Sequence, residues 1–111
     1  VTRDYFYVGD LARACVMAAE SEVPDLLVNI GSGEGVSLNV LLQIIRDTIG
    51  VTFDVRYEAG RLFDVPQVIL DVVRARQMLG WEPTVSLPVG IRRTWDWILN
   101  RSHSHTGSLI K

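Results

Sequence analysis

Hydrophobic and polar positions along this chain alternate between two periods. Tyr5-Phe6-Tyr7-Val8 is an aromatic, β-favouring run and predicts a short strand. Asp10 then stands where a helix cap is wanted and predicts a helix from about Leu11 to Glu20. That helix is apolar nearly all round (Leu11, Ala12, Ala14, Cys15, Val16, Met17, Ala18, Ala19), so it is expected to be sandwiched between layers. Pro24-Asp25 breaks it. Leu26-Leu27-Val28-Asn29-Ile30 is a short apolar run that predicts a buried strand, and Gly31-Ser32-Gly33-Glu34-Gly35 predicts a flexible loop. Ser37 caps the next helix, in which Leu38, Leu41, Leu42, Ile45 and Ile49 recur at helical spacing until Gly50 stops it.

Val51, Phe53, Val55 and Tyr57 alternate with Thr52, Asp54 and Arg56, the pattern of a half-buried strand. Glu58-Ala59-Gly60 turns the chain. Asp71 predicts a short capped helix through Leu79, with Gly80 as its stop, Trp81 packed just beyond and Pro83 preventing resumption. Ser86 caps a last helix whose apolar face is Leu87, Ile91, Thr94, Trp95 and Ile98, with Arg92, Arg93, Asp96 and Trp97 off that face. Periodicity ends after Asn100, so residues 1–100 read as one structured portion and residues 101–111 as a flexible tail. The expected class is α/β, with about four helices and three to four short strands.

Composition narrows the partners. The 111 residues suffice for one core, and 48% hydrophobic with 22% charged residues reads as globular. A net charge of -2 argues against general nucleic-acid or membrane-surface binding. No apolar run reaches the length of a membrane span. The single Cys15 allows no internal disulfide, which suggests a cytoplasmic setting, and its place in an apolar helix reads as a small core residue. Val1 is not a natural start residue, so the chain reads as a piece of something longer. His103 and His105 could grip a metal at their spacing, but no acid or cysteine stands beside them, and a solvated tail is the better reading.

Candidate chemistry concentrates in Arg61-Leu62-Phe63-Asp64. A guanidinium fork matches phosphate oxygens, and a carboxylate can accept from two neighbouring ribose hydroxyls, so the pair reads as a nucleotide clamp. The same spacing also suits a plain surface ion pair. Arg3-Asp4 carries the same ambiguity. The loop at Gly31-Ser32-Gly33 follows an apolar run and precedes a helix, as a dinucleotide-binding turn would, and Asp54 follows at about the distance of a ribose acid. Val36 stands where the third glycine should be, and Asp54 falls in mid-strand, so this loop is not expected to hold a dinucleotide by itself.

In order, Arg3-Asp4-Tyr5-Phe6-Tyr7-Val8-Gly9-Asp10-Leu11-Ala12, Asn29-Ile30-Gly31-Ser32-Gly33 with Ser37-Leu38, Arg61 to Pro66, and Leu79-Gly80-Trp81-Glu82-Pro83 with Ser86-Leu87 resemble the NAD(P)-dependent nucleotide-sugar epimerases and dehydratases. These are the extended short-chain dehydrogenase/reductases. The resemblance covers about residues 2 to 99 and implies the C-terminal substrate-binding portion of an extended Rossmann-type enzyme. It implies that Arg3 and Arg61 contact the diphosphate of a nucleotide sugar and that Asp64 binds its ribose. The family often has glycine just before that acid, where this chain has Phe63. Asn29 is expected to organise its loop, and Asp10 and Asp71 to act as caps.

The resemblance also implies NAD(P) in the parent enzyme, held by a glycine-rich turn near its start, and a Tyr-x-x-x-Lys pair that moves protons. Here Tyr5, Tyr7 and Tyr57 are followed by Gly9, Leu11 and Arg61 at the lysine position. A tyrosine base relies on a nearby cation, and hydride chemistry belongs to the cofactor. These residues alone are therefore expected neither to bind the cofactor nor to turn over substrate. The expected partners are a nucleotide sugar and a missing N-terminal Rossmann portion. Without cover for the apolar helix, folding is expected to be marginal or to depend on self-association, with a homodimer left open. A free-standing nucleotide-sugar binding module and a structural domain that lost its ligand are the rival classes.

Overall fold

The computed structural model describes residues 1–104. Strand β1 (Thr2–Arg3) is followed by helix α1 (Val8–Glu20), strand β2 (Val36–Ser37) and helices α2 (Leu38–Ile49), α3 (Val73–Leu79) and α4 (Leu87–Ser104). β1 and β2 pair antiparallel, with Thr2 opposite Ser37 and Arg3 opposite Val36. A third segment adds to the other side of β1. The Thr2 N–H donates to Pro66 O at 2.8 Å, the Val68 N–H donates to Thr2 O at 3.0 Å, and Gln67 forms a parallel bridge with Thr2. This narrow ribbon, with four helices around it, is the α/β architecture of the described residues.

The helices begin and end largely where local chemistry dictates. Ser37 accepts from the Val40 N–H at 3.3 Å as the α2 cap, and Ser86 accepts from the Val89 N–H at 3.4 Å at the start of α4. Gly50 and Gly80 close α2 and α3 in the left-handed conformation, each at φ 68°. Asp71 accepts from the Val73 N–H at 3.0 Å, but it stands one residue before the α3 cap position, Val72, so it is not the cap expected of it. α4 runs on to Ser104, past the expected end at Asn100, so the first residues of the expected tail are helical. His105 and residues 106–111 lie outside the described residues, as does the side chain of His103.

The strand expectations fare less well. Residues 5–7 are irregular, the strand lies earlier at Thr2–Arg3, and Val8 already belongs to α1. Residues 26–30 are extended in burial pattern, with Leu26, Val28 and Ile30 half-buried and Leu27 and Asn29 exposed, but they pair with no strand among the described residues. Residues 51–57 likewise join no ladder; Phe53 and Val55 turn inward, and the segment is held to α2 by Arg46 over the Phe53 ring at 4.9 Å and by Tyr57 Oη donating to Asn39 Oδ1 at 3.3 Å. An apolar run supplies the inward face of a strand but not its backbone partner, which must come from elsewhere in the fold.

The core is small. Ala14 of α1, Ala75 of α3 and Trp81 are buried together, with Phe6, Met17, Val28, Ile30 and Leu79 packed around them. The α1 helix is covered on this one side only: Val8 is 66% and Val16 56% exposed, which corrects the expectation of a sandwiched helix. Cys15 is exposed, not a core residue, because Asp10 and Ala14 set the inward face and Cys15 falls one step round the helix. α2 and α4 pack through Leu41, Ile45 and Ile49 against Leu87, Ile91 and Trp95, leaving an apolar cleft of about 470 Å³ that Tyr5 and Phe6 also line. Arg92 of α4 donates to the Thr48 carbonyl at the end of α2.

Candidate functional site

A half-buried carboxylate, Asp4, and a buried one, Asp10, hold the ribbon and loops in place. Asp4 takes four donors: the Ser32 N–H at 2.8 Å, the Ser32 hydroxyl at 2.6 Å, the Gly33 N–H at 2.9 Å and the Leu70 N–H at 3.3 Å. Gly31 is needed for this approach, since a Cβ there would stand 2.9 Å from Asp4 Oδ2 and 3.1 Å from Leu70 Cδ1. Asp10 is only 2% exposed and accepts from the Thr84 N–H at 3.2 Å, the Thr84 hydroxyl at 3.0 Å, the Val85 N–H at 3.0 Å and Arg13 Nη2 at 3.3 Å. It is therefore not the cap of α1, the role expected of it. It lies inside the helix, whose cap position is Tyr7, and its side chain fastens the 84–85 turn.

Burial pushes the Asp4 and Asp10 carboxyls up, but their donors outweigh it and hold both below the ordinary 3.8. The donors are the Ser32 hydroxyl and the Ser32, Gly33 and Leu70 amides at Asp4. At Asp10 they are the Val85 amide, the Thr84 hydroxyl, Arg13 and the Thr84 amide. A native value below the unfolded one means that the stabilisation is fully present above the unfolded pKa and is lost as pH falls through the native values. The melting temperature is expected to be insensitive to these groups from about pH 7 to about pH 5 and to drop below about pH 4. Circular dichroism melts across that range check this, and Asp4→Asn and Asp10→Asn should flatten the acid drop. A drop of the same depth in both variants would exclude these carboxylates as its source.

Asp4 also decides the fate of the glycine loop. A dinucleotide pyrophosphate needs free backbone N–H groups at such a turn. Here the Ser32 and Gly33 N–H groups are bound to a carboxylate of this same chain. An anion at this loop would have to displace the Asp4 carboxylate from them. Asp54 sits in the irregular segment beyond Gly50. Groups of metal-ligating side chains that could hold an ion are absent among the described residues.

The Arg61–Asp64 segment forms a turn closed by the Asp64 N–H donating to Arg61 O at 3.2 Å. Arg61 Nε donates to Asp64 Oδ2 at 3.2 Å, and Nη2 lies 3.1 Å from Oδ1, so the guanidinium meets the carboxylate in a two-pronged pair. The guanidinium also lies over the Phe63 ring, 5.0 Å from its centroid. The turn enters the ribbon at once, because Pro66 and Gln67 pair with Thr2. Arg3 therefore stands on the strand beside the segment that carries Arg61 and Asp64. The structure joins Arg61 to Asp64 but not to Arg3, whose Nη1 donates to Thr2 O at 2.9 Å.

Sequence reasoning missed Asp4 and Asp10 as anchors. Their immediate neighbours, Arg3 and Leu11, give no hint of this, because, Arg13 apart, their partners lie 28 to 75 positions away. The available signal was a Ser-Gly pair and a Thr-Val pair in loops, both rich in unpaired amides. Tryptophan Trp81 was expected just past Gly80, and there it lies, fully buried, its Nε1–H donating to the Asp10 carbonyl at 3.0 Å.

The α/β fold matches the C-terminal part of solved epimerase structures. No protein-family model matches the chain. The putative UDP-glucose 4-epimerase of Methanocaldococcus jannaschii is 38% identical over 103 residues, which are 93% of this chain and 33% of that protein. The UDP-glucose 4-epimerase of Mycolicibacterium smegmatis is 35% identical over 101 residues, 91% of this chain and 32% of that protein. The crystal structure of UDP-glucose 4-epimerase with UDP-glucose from Thermotoga maritima matches with a TM-score of 0.82 at 36% identity, over 90% of this chain and 32% of that one. The chain thus spans about a third of the length of the curated relatives it matches. It matches the C-terminal portion of the NAD-dependent nucleotide-sugar epimerase and dehydratase family and is similar to UDP-glucose 4-epimerase. Among the described residues no helix is long and apolar enough to cross a membrane.

Proposed function

We propose that this chain is the substrate-binding part of an NAD-dependent nucleotide-sugar 4-epimerase, and that it grips the diphosphate and ribose of the substrate. The observation that carries the reading is the two-pronged Arg61–Asp64 turn, set beside the strand of Arg3. Both partners are satisfied by each other in the absence of ligand. A nucleoside diphosphate offers each a better-matched partner: phosphate oxygens for the guanidinium edge and ribose hydroxyls for the carboxylate. Arg3, whose side chain donates to a neighbouring carbonyl, is the second cation this reading assigns to the diphosphate. NAD supplies the hydride chemistry when bound, and the 31–33 loop, whose Ser32 and Gly33 N–H groups are taken by Asp4, is not a free cradle for it. The oxidation of the sugar therefore belongs to parts of the protein beyond these residues, while this portion binds and orients the nucleotide handle.

Its test is calorimetric titration of the protein with UDP and UDP-glucose, and with GDP, dTDP and CDP for the base. Arg61→Ala removes the charge-assisted bonds to the diphosphate and is expected to weaken UDP binding about ten- to a hundredfold, while Arg3→Ala has a smaller effect. Unchanged UDP affinity in Arg61→Ala would overturn the reading.

A further inference from the structure

We infer that Phe63 is the positioning residue for Arg61: its ring supports the face of the guanidinium so that the edge can change partners without losing direction. The inference rests on the nucleotide-binding reading above. Phe63 is 77% exposed, so it adds little to the core. The structure gives it one defined interaction, the Arg61 guanidinium at 5.0 Å from the ring centroid, inside the range of a cation–π contact. Arg61 is itself well exposed, with 68% of its side chain accessible, a setting in which a long side chain would ordinarily sample many rotamers.

The geometry separates two kinds of contact. Hydrogen bonds to the guanidinium lie in its plane, and Asp64 takes two of them through Nε and Nη2. The aromatic contact is made to the face and uses none of those N–H groups. A diphosphate that takes the in-plane N–H groups must displace Asp64, which removes the only ionic partner Arg61 has in this turn. The ring is not displaced by that exchange. It keeps the guanidinium aimed while Asp64 is released toward the ribose hydroxyls. The closing bond of the turn, from the Asp64 N–H to Arg61 O, fixes the spacing of all three side chains. Leu62, also in the turn, is fully exposed and takes no part in the contact.

The test uses the full-length protein and UDP as probe. Phe63→Leu keeps the bulk and the turn but removes the aromatic face, and it is expected to weaken UDP binding about two- to fivefold. Phe63→Tyr restores the face and is expected to bind as the wild type does. In an Arg61→Ala background, Phe63→Leu should cost nothing further, because the ring acts through the guanidinium. In the ligand-free protein, the Arg61 Nε–H nuclear magnetic resonance should move on Phe63→Leu as the ring current is lost. Wild-type affinity in Phe63→Leu, or an equal loss in the Arg61→Ala background, overturns the positioning role while leaving nucleotide binding intact. If Arg61→Ala alone has no effect on UDP, the binding reading fails first and this one with it.

Discussion

Asp10→Ala is expected to destabilise the protein by about 3–5 kcal/mol, or to prevent folding, since removing one side of a buried charged network leaves the other side unpaired. The Asp10 carboxylate receives the Thr84 and Val85 amides, the Thr84 hydroxyl and Arg13. Alanine would leave the Thr84 and Val85 amides without their acceptor. Arg13 would keep the Glu82 carbonyl at 2.5 Å and the Met17 sulfur at 3.6 Å. Two effects oppose each other. Removing a buried charge relieves its desolvation, but the unsatisfied donors each cost about 1–3 kcal/mol, and two or three of them outweigh the relief. Asp10→Asn should lose less, because one oxygen still accepts while its amide group meets the wrong partners. Urea unfolding of both variants measures this. A loss below about 0.5 kcal/mol for Asp10→Ala, the size of a surface substitution, would show that the carboxylate is not an anchor.

The same residue shows what the sequence could and could not convey. Ser37, Gly50, Gly80 and Ser86 act within four residues of themselves and open or close helices as their types predict, while Asp71 falls one residue before the α3 cap position. Strands depend on partners far along the chain. Residues 26–30 and 51–57 have the right apolar pattern, yet the only ladder in the described residues is built from Thr2–Arg3 and Val36–Ser37, with a bridge to Gln67. An aspartate before an apolar helix looks the same whether it caps that helix or holds a loop 74 residues away, as Asp10 does with Thr84. The candidate site has the same limit. Spacing alone was enough to anticipate that Arg61 and Asp64 pair, because residues three apart meet across a tight turn. It could not show that Phe63 lies against the guanidinium, or that Asp4 fills the glycine loop, since both depend on the path of the backbone.

Trp81→Ala is expected to cost about 3–5 kcal/mol, the usual loss for a large aromatic side chain removed from a core. Trp81 is 0% exposed, and with Ala14 and Ala75 it forms the buried centre of this structure, so neighbouring side chains have little slack with which to fill the hole. Its ring meets Phe6 edge-on at 6.4 Å and an interplanar angle of 78°, and Arg13 lies over it at 5.6 Å. Its Nε1–H is bound to the Asp10 carbonyl. Trp81→Phe keeps most of the packing and loses that bond, for which about 1–2 kcal/mol is expected. Because Arg13 touches both Asp10 and Trp81, the two alanine substitutions share a partner, and their combined cost should fall short of the sum. A double-mutant cycle by urea unfolding, run on Asp10→Asn and Trp81→Phe so that every variant stays folded, reads that coupling directly. Strict additivity would mean that the carboxylate and the indole stabilise the fold independently. A shortfall would mean that one network, built from α1, the 84–85 turn and Trp81, holds the helix against the rest of the chain.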